Sequence, residues 1–186
     1  TIEKDSGQYN DIKEVFWASG ACMFLRAEHF KSVDGFDNDF FAHQEEIDLC
    51  WRLKNKGYKI MVNPKSTVFH VGGGTLDPKS SFKTYLNFRN NLYMLFKNLH
   101  KLDLLIVIPV RLILDGVAAL TFIINKNGFA HFYSIIKAHF SFYCNLYKFI
   151  SKRKKIKQKR EHTGMTKNSI VFANKIKNIS IFSKLK

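Results

Sequence analysis

Acidic side chains are scarce in the second half of this 186-residue chain. Residues 101–186 contain 17 Lys and Arg but only three acidic residues, which gives them a net charge of +14. Residues 1–100 contain 13 basic and 12 acidic residues and are nearly neutral. This asymmetry predicts an ordinary globular half joined to a half that seeks an anionic surface.

Cysteine is also rare, with Cys22, Cys50 and Cys144 forming no C-x-x-C pair. Because Cys22 and Cys50 lie among apolar residues, we expect buried free thiols in a reducing compartment. The chain has no initiator Met and no signal peptide, and it leads quickly into what reads as the middle of a fold. We therefore expect the N-terminal part of a longer protein to precede it.

The hydrophobic pattern predicts alternating strands and helices over residues 1–100. The helix at 45–56 is the clearest, because Gly57 can adopt the left-handed conformation that ends a helix. Further helices are predicted at 27–33 and 80–100. Strands are predicted at 15–26, with a break at Ser19–Gly20, and at 58–62 and 67–71.

Residues 102–124 are apolar over a length that would suit a membrane span. However, Pro109, Arg111, Asp115 and Gly116 lie at the centre, where a charge costs about 2.5–3.5 kcal/mol on insertion scales. Arg111 and Asp115 have i,i+4 spacing and can pair on one helix face. We therefore favour an amphipathic helix at the membrane interface over a spanning helix, with a second aromatic-rich stretch at 129–150.

Three carboxylates occupy the start of the predicted helix, at Glu45, Glu46 and Asp48. A structural interpretation is that they cap the helix, with Asp48 paired to Arg52 at i,i+4. A functional interpretation is that a carboxylate here acts as a general base, kept ionised by the helix dipole. The pattern alone leaves both open.

Other candidates follow in residues 70–89. His70 is either a histidine at a strand end or a metal or phosphate ligand. Gly73 lies in a run of three glycines, whose amides can approach phosphate oxygens closely. Lys79, Lys83 and Arg89 either form a solvated helix face or contact an anionic leaving group.

The order of these motifs is more informative than any one of them. The series is W-x-S-G-A at 17–21, G-F-D-x-x-F-F at 35–41, E-E-x-D-L-C-W-R at 45–52, G-Y at 57–58 and V-F-H at 68–70. Over residues 13–100 this series resembles the acceptor half of family 2 glycosyltransferases. It is most similar to the rhamnosyltransferase-like enzymes of bacterial cell-surface polysaccharide synthesis. The tail also resembles the C-terminal extension of such enzymes in Bacteroidetes-type bacteria.

The resemblance implies an α/β fold, the C-terminal portion of an A-type nucleotide-sugar glycosyltransferase fold, followed by amphipathic helices. Residues 1–100 would be the acceptor-side half of the catalytic domain, 101–150 membrane-associating helices and 151–186 a basic tail. The family's nucleotide-binding half, with its Asp-x-Asp metal motif, would lie before this segment. We therefore expect the chain alone not to transfer sugar.

The resemblance also implies roles for particular residues. Glu46 takes the general-base position, flanked by Glu45, although the family motif usually has Asp at that place. His70 matches a position that helps to hold a divalent metal (Mg²⁺ or Mn²⁺), most of whose site is expected in the preceding half. The candidates for substrate binding are Trp17, Ser19, Gly20, Ala21, Asp48, Gly73, Lys79 and Arg89.

The function implied is inverting transfer of a sugar from a nucleotide-sugar donor to a saccharide or lipid-linked saccharide. The enzyme would work at the cytoplasmic face of the bacterial inner membrane, bound peripherally to its anionic surface, with a single span as the alternative. A basic membrane-surface or nucleic-acid-binding protein without enzymatic activity is the competing interpretation. Nucleic acid is the less expected partner, because aliphatic runs such as LLIVIPV suit lipid better than phosphate.

Overall fold

The computed structural model describes residues 5–70, 77, 80–124, 128–165, 173 and 178. These residues are mostly helical. Their helices are α1 (Ala27–Ser32), α2 (Glu45–Lys56), α3 (Ser81–Asn98), α4 (Lys101–Ile123), α5 (Gly128–Cys144) and α6 (Leu146–Lys154), and β1 (Lys13–Val15) and β2 (Ile60–Val62) form an antiparallel pair. The helix predictions are confirmed, and α2 has the predicted bounds.

Helix α2 ends as its sequence predicts. Gly57 has a φ of +99°, its N–H donates to Lys54 O at 2.9 Å, and the Tyr58 N–H donates to Leu53 O at 3.1 Å. These two hydrogen bonds give donors to carbonyls that would otherwise have no partner at the helix end. The chain then turns directly into β2.

The strand predictions are correct only in part. Val15 pairs with Ile60, so β1 ends opposite the first residue of β2. Residues 16–26 are not a strand, because a strand needs a neighbour to bond to, and Gly20–Cys22 instead form a 3-10 turn. Residues 67–70 are also outside any strand. Within the described residues, the sheet of the predicted α/β fold therefore consists of two short strands.

The tail helices share one apolar core with α2 and α3. Tyr93 of α3 stacks on Phe149 of α6 with ring centroids 3.9 Å apart, and Phe96 meets Phe142 of α5 edge-on at 5.8 Å. Trp51 of α2 joins the same cluster. Because this core is continuous, the position of the tail is coupled to that of α2. The predicted division at residue 100 stays a prediction.

The charges at the centre of α4 turn inward. Asp115 is fully buried, with its carboxylate 2.6 Å from Arg111 Nη2 and 3.1 Å from His139 Nε2 of α5. The predicted Arg111–Asp115 pair is thus confirmed. Helix α4 is long and apolar enough to cross a membrane, but it packs beside α3 and α5 and its outer face stays apolar.

The cysteines are only partly as predicted. Cys50 is buried in α2, and burial raises the pKa of its thiol. Cys22 is exposed, so the prediction of burial there is wrong. The reason is that residues 16–26 do not enter a sheet, which would have covered one of their faces.

Candidate active site

The acidic start of α2 follows a loop with unusual backbone angles. Phe41, His43 and Gln44 all have positive φ values, between +62° and +69°. Residues other than glycine rarely adopt this region, and each costs on the order of 1 kcal/mol or more. Such strain persists only where the surrounding structure holds it in place, and here it sets the direction from which Glu45 and Glu46 enter the helix.

Helix α3 holds this loop through its polar side chains. The fully buried Asn90 donates from Nδ2 to the carbonyls of Phe40, Ala42 and His43 at 2.7–2.9 Å. In the opposite direction, Gln44 Nε2 donates a hydrogen bond to Asn87 O of α3 at 3.1 Å. The sequence pattern gave Asn90 no role. However, an asparagine on the inner face of a helix indicates that its buried amide has hydrogen-bond partners elsewhere in the fold.

Replacing Asn90 with alanine should lower the free energy of unfolding by about 2–3 kcal/mol, because buried carbonyls lose their donor. The matched control is Asn91→Ala, one position along, whose amide makes a single contact of 3.4 Å with Gln44. We expect that variant to lose less than about 1 kcal/mol. Urea unfolding followed by circular dichroism measures the free energy of unfolding of both variants. Equal losses would show that Asn90 stabilises the loop no more than Asn91 does.

Glu46 combines burial with an open hydrogen-bonding position. Its Oε2 atom and that of Glu45 are buried and have no hydrogen-bond partner within the described part of the chain. Burial, together with the neighbouring charge of Glu45, raises the pKa of Glu46 above its ordinary value. A carboxylate whose environment favours the protonated form has increased affinity for a proton, as a general base requires.

His43 lies beside this acidic pair and is held neutral. Burial lowers its pKa, and the positive charge of Lys83 lowers it further. Its Nε2 atom is buried without a hydrogen-bond partner among the described residues. The start of α2 therefore offers three buried polar atoms with free hydrogen-bonding capacity, on His43, Glu45 and Glu46.

The predicted substrate-binding residues at 19–21 include one that lies next to Glu46. A Cβ placed on Gly20 would sit 3.8 Å from the Glu46 Cβ, an ordinary van der Waals distance, so Gly20 lies beside the base of the Glu46 side chain. Ser19 and Ala21 flank this position and are exposed, with Ser19 Oγ accepting from the Ala21 N–H at 3.3 Å. Trp17 is 43% exposed. The structure thus brings residues 19–21 together with the acidic pair.

Asp48 occupies a different environment from Glu46. It is fully buried and accepts hydrogen bonds from Arg52 Nε at 2.8 Å, Lys97 Nζ at 2.8 Å and Asn98 Nδ2 at 2.7 Å. The predicted Asp48–Arg52 pair is confirmed. This carboxylate ties α2 to α3, and the structure gives it no open face for a substrate.

Arg89 is committed to structure as well. Its guanidinium donates to the carbonyls of Asp39 at 2.9 Å and Phe40 at 3.1 Å, and its Nε donates to Asn90 Oδ1 at 2.9 Å. The guanidinium supports the loop that leads to α2, which is a different task from the predicted contact with a leaving group. That contact stays a prediction.

Three site candidates remain, His70, Gly73 and Lys79. His70 is exposed, and Gly73 and Lys79 lie outside the described residues. Within the described ranges, no three His, Cys, Asp or Glu side chains are grouped closely enough to hold a metal ion. Those residues therefore do not fit a complete metal site, and the metal contact of His70 stays a prediction.

Comparison with known proteins identifies a family whose match includes the acidic segment at 45–48. Residues 1–90 match the model of glycosyl transferase family group 2. Residues 1–90 are therefore similar to family 2 glycosyltransferases, and the chain is an enzyme by that resemblance. Enzymes of this family generally use divalent metals. No solved structure matches the chain.

Three relatives show what kind of enzyme the segment resembles. An N-acetylglucosaminyl-diphospho-decaprenol L-rhamnosyltransferase of Mycobacterium tuberculosis (strain CDC 1551 / Oshkosh) is 36% identical over 31% of this chain and 19% of its own length. Rhamnosyltransferase WbbL of Escherichia coli (strain K12) is 38% identical over 30% of this chain and 21% of its own. Low-salt glycan biosynthesis hexosyltransferase Agl10 of Haloferax volcanii is 29% identical over 45% and 28%. The chain thus spans between 19% and 28% of the length of these three relatives.

Proposed function

We propose that this chain is the acceptor-side part of an inverting glycosyltransferase of cell-envelope polysaccharide synthesis. The donor is a nucleotide sugar, and the acceptor is a saccharide or a lipid-linked saccharide. The observation that carries the proposal is the half-buried Glu46 carboxyl, which has a raised pKa and a buried oxygen without a hydrogen-bond partner among the described residues, beside Gly20. The names of the relatives support the substrate classes.

In the proposed reaction, Glu46 removes the proton from an acceptor hydroxyl. The hydroxyl oxygen forms a bond to the anomeric carbon of the donor sugar while the bond from that carbon to the diphosphate oxygen breaks. The electron pair leaves with the nucleotide diphosphate, and attack from the opposite face inverts the anomeric centre. The protein supplies position and proton removal, for which a rigidly held carboxylate is suited.

The test is transfer from labelled nucleotide sugars to lipid-linked saccharides, measured with the intact protein that carries this segment. Sugar must appear on the acceptor, and the product linkage must have the opposite anomeric configuration to the donor. A retained configuration would contradict the proposed direct displacement. Absence of transfer across the common nucleotide sugars, with donor binding intact, would favour the non-enzymatic interpretation.

We also propose that the tail binds the membrane surface through two apolar stripes. Each stripe has exposed apolar residues at alternating spacings of three and four, so its members lie on one helix face. On α4 and its C-cap the stripe residues are 48–87% exposed, and on α5 and α6 they are 49–83% exposed. The stripes are Ile106, Val110, Ile113, Val117, Leu120 and Ile124, and Phe129, Tyr133, Ile136, Phe140, Tyr143 and Tyr147.

Charge favours a membrane over a second copy of this chain as the occupant. The sequence from residue 101 onward has a net charge of +14, so two copies facing each other would repel, whereas anionic lipid attracts each nearby Lys or Arg. Tyr and Phe on the α5 stripe are typical of side chains at the lipid–water boundary. We propose the cytoplasmic membrane face as its location, because that leaflet carries anionic lipid.

Replacing Ile113 and Phe140 together with glutamate should reduce binding to anionic vesicles at least tenfold, because each substitution removes apolar burial and adds a negative charge. The control is Phe24→Glu, a residue that is 96% exposed but outside both stripes. Vesicle sedimentation measures binding, and size-exclusion chromatography measures association. Unchanged sedimentation together with conversion of a dimer to a monomer would instead identify a second copy as the occupant.

A further inference from the structure

A cavity of about 590 Å³ lies at the other end of α2 from the acidic pair. It opens between residues 32–39, the C-terminal end of α2 and helix α6. Its volume is within the range of small-ligand sites. Glu46 and Asn55 are nine residues apart on α2, so about 14 Å of helix separates this cavity from the proposed base.

The cavity wall is strongly charged and carries a positive surplus. Seven Lys and Arg side chains line it, against three aspartates. Three of the lysines, Lys148, Lys152 and the C-cap residue Lys155, lie at i, i+4 and i+7 and so share one face of α6 and its C-cap. Cations supplied by different elements thus converge on one concave space.

The inner part of this wall is neutralised and fixed. Lys97 Nζ lies 2.7 Å from Asp37, and Lys152 pairs with both Asp37 and Asp39. Burial would raise the pKa of Asp37, but the charge of Lys97 and the bonds from both lysines outweigh it and lower the pKa to about 2. Asp37 is therefore ionised at physiological pH, and it holds α6 against the turn.

The outer part of the wall retains the surplus charge. Lys155 and Lys157 line the cavity and are exposed, and neither has an acidic partner among the residues that the structure describes. Two unpaired ammonium groups beside a fixed ionic frame suit a small, multiply charged anion. Phosphate and diphosphate groups have that charge, and their oxygens accept the strong charge-assisted bonds that lysine donates.

We propose that this cavity binds the phosphate or diphosphate group of a ligand held at the membrane surface. The position of α6 favours a ligand carried by lipid. Tyr147 of the apolar stripe and Lys148 of the cavity are adjacent on the helix, about 100° apart around its axis. With the stripe on the membrane, the cavity lies at its rim, at the level of the headgroups. This orientation uses the membrane surface proposed above, but it does not depend on sugar transfer.

The test compares two double variants that remove equal charge. Lys155→Ala with Lys157→Ala alters the cavity, whereas Lys154→Ala with Lys65→Ala removes two exposed lysines outside it. The probes are inorganic diphosphate, measured by titration calorimetry, and vesicles of phosphatidylcholine with and without phosphatidic acid. We expect the cavity variant to lose about tenfold in affinity for at least one phosphate probe, and the control less than twofold.

The two arms separate the sources of the phosphate. Loss confined to phosphatidic acid vesicles supports a lipid headgroup, and loss for soluble diphosphate as well supports recognition of the phosphate group alone. Equal losses in the two double variants would show nonspecific electrostatic attraction and would contradict phosphate binding in the cavity. The absence of binding to every phosphate probe would contradict it as well. The Ile113 and Phe140 variant should leave diphosphate binding unchanged, which separates failure of this site from failure of the membrane surface.

Discussion

Replacing Asp48 with alanine should lower the free energy of unfolding by about 3–5 kcal/mol, the largest stability effect that we expect from a single substitution in this chain. Asp48 is fully buried and accepts bonds from Arg52, Lys97 and Asn98. Lys97 is 2% exposed, so the substitution leaves a buried cation with Asp37 as its one remaining counter-charge among the described residues. Removing one member of such a network costs far more than the net value of a surface pair.

The control for this prediction is Asp103→Ala. Asp103 pairs with Arg160 at 3.2 Å near the surface, where exposed pairs contribute at most about 1 kcal/mol. Urea unfolding of both variants measures the difference. A loss below about 1 kcal/mol for Asp48→Ala, with cooperative unfolding retained, would contradict a structural role and return Asp48 to the substrate-binding candidates.

Replacing Glu46 with glutamine should reduce sugar transfer by about 10²–10⁴-fold, the range that positioned acid–base groups contribute. Glutamine has nearly the same shape, so the loss reports removal of the base rather than of packing. Transfer by the intact protein that carries this segment is the measurement. The control is Glu28→Gln, a carboxylate that is 67% exposed beside Arg26, which should change transfer less than twofold.

The pH dependence of transfer gives Glu46 a second signature. The base must be ionised, so the rate falls as pH decreases through its folded-state pKa. Because burial raises that pKa, the acidic limb should lie above the pH at which an ordinary glutamate titrates. The remaining activity of Glu46→Gln should lose that limb, and an unchanged limb would assign the base to another residue.

The same substitution should stabilise the fold. A raised pKa means that the folded state disfavours the charged form of Glu46. The ionised side chain therefore lowers the free energy of unfolding at neutral pH. At pH values below the ordinary pKa of glutamate the side chain is protonated and this cost is absent. Glu46→Gln should therefore raise the free energy of unfolding at pH 7, as is common where function requires an unfavourable group. A loss of stability would instead indicate that the carboxylate has a partner.

The helices could be predicted because their signals are local. Gly57 ends α2, and the acidic residues at 45–48 begin it, within a single stretch of chain. The Asp48–Arg52 and Arg111–Asp115 pairs follow from one helical turn in the same way. The strands failed at residues 16–26, because a strand depends on a partner that is distant in sequence and that here ends at Ile60.

By itself, the sequence determined the helices, the charge division near residue 100 and the resemblance carried by the spacing of its motifs, since each depends on neighbouring residues. Only the tertiary structure decided which of the three carboxylates at 45–48 is committed to bonds within the fold: Asp48 is, whereas Glu45 and Glu46 each keep an oxygen without a partner among the described residues. Glu46 and Asp48 are two positions apart, about 200° around α2, so one lies beside Gly20 and the other faces α3. It also gave Asn90 its task, because the three carbonyls it holds are more than 40 residues away along the chain.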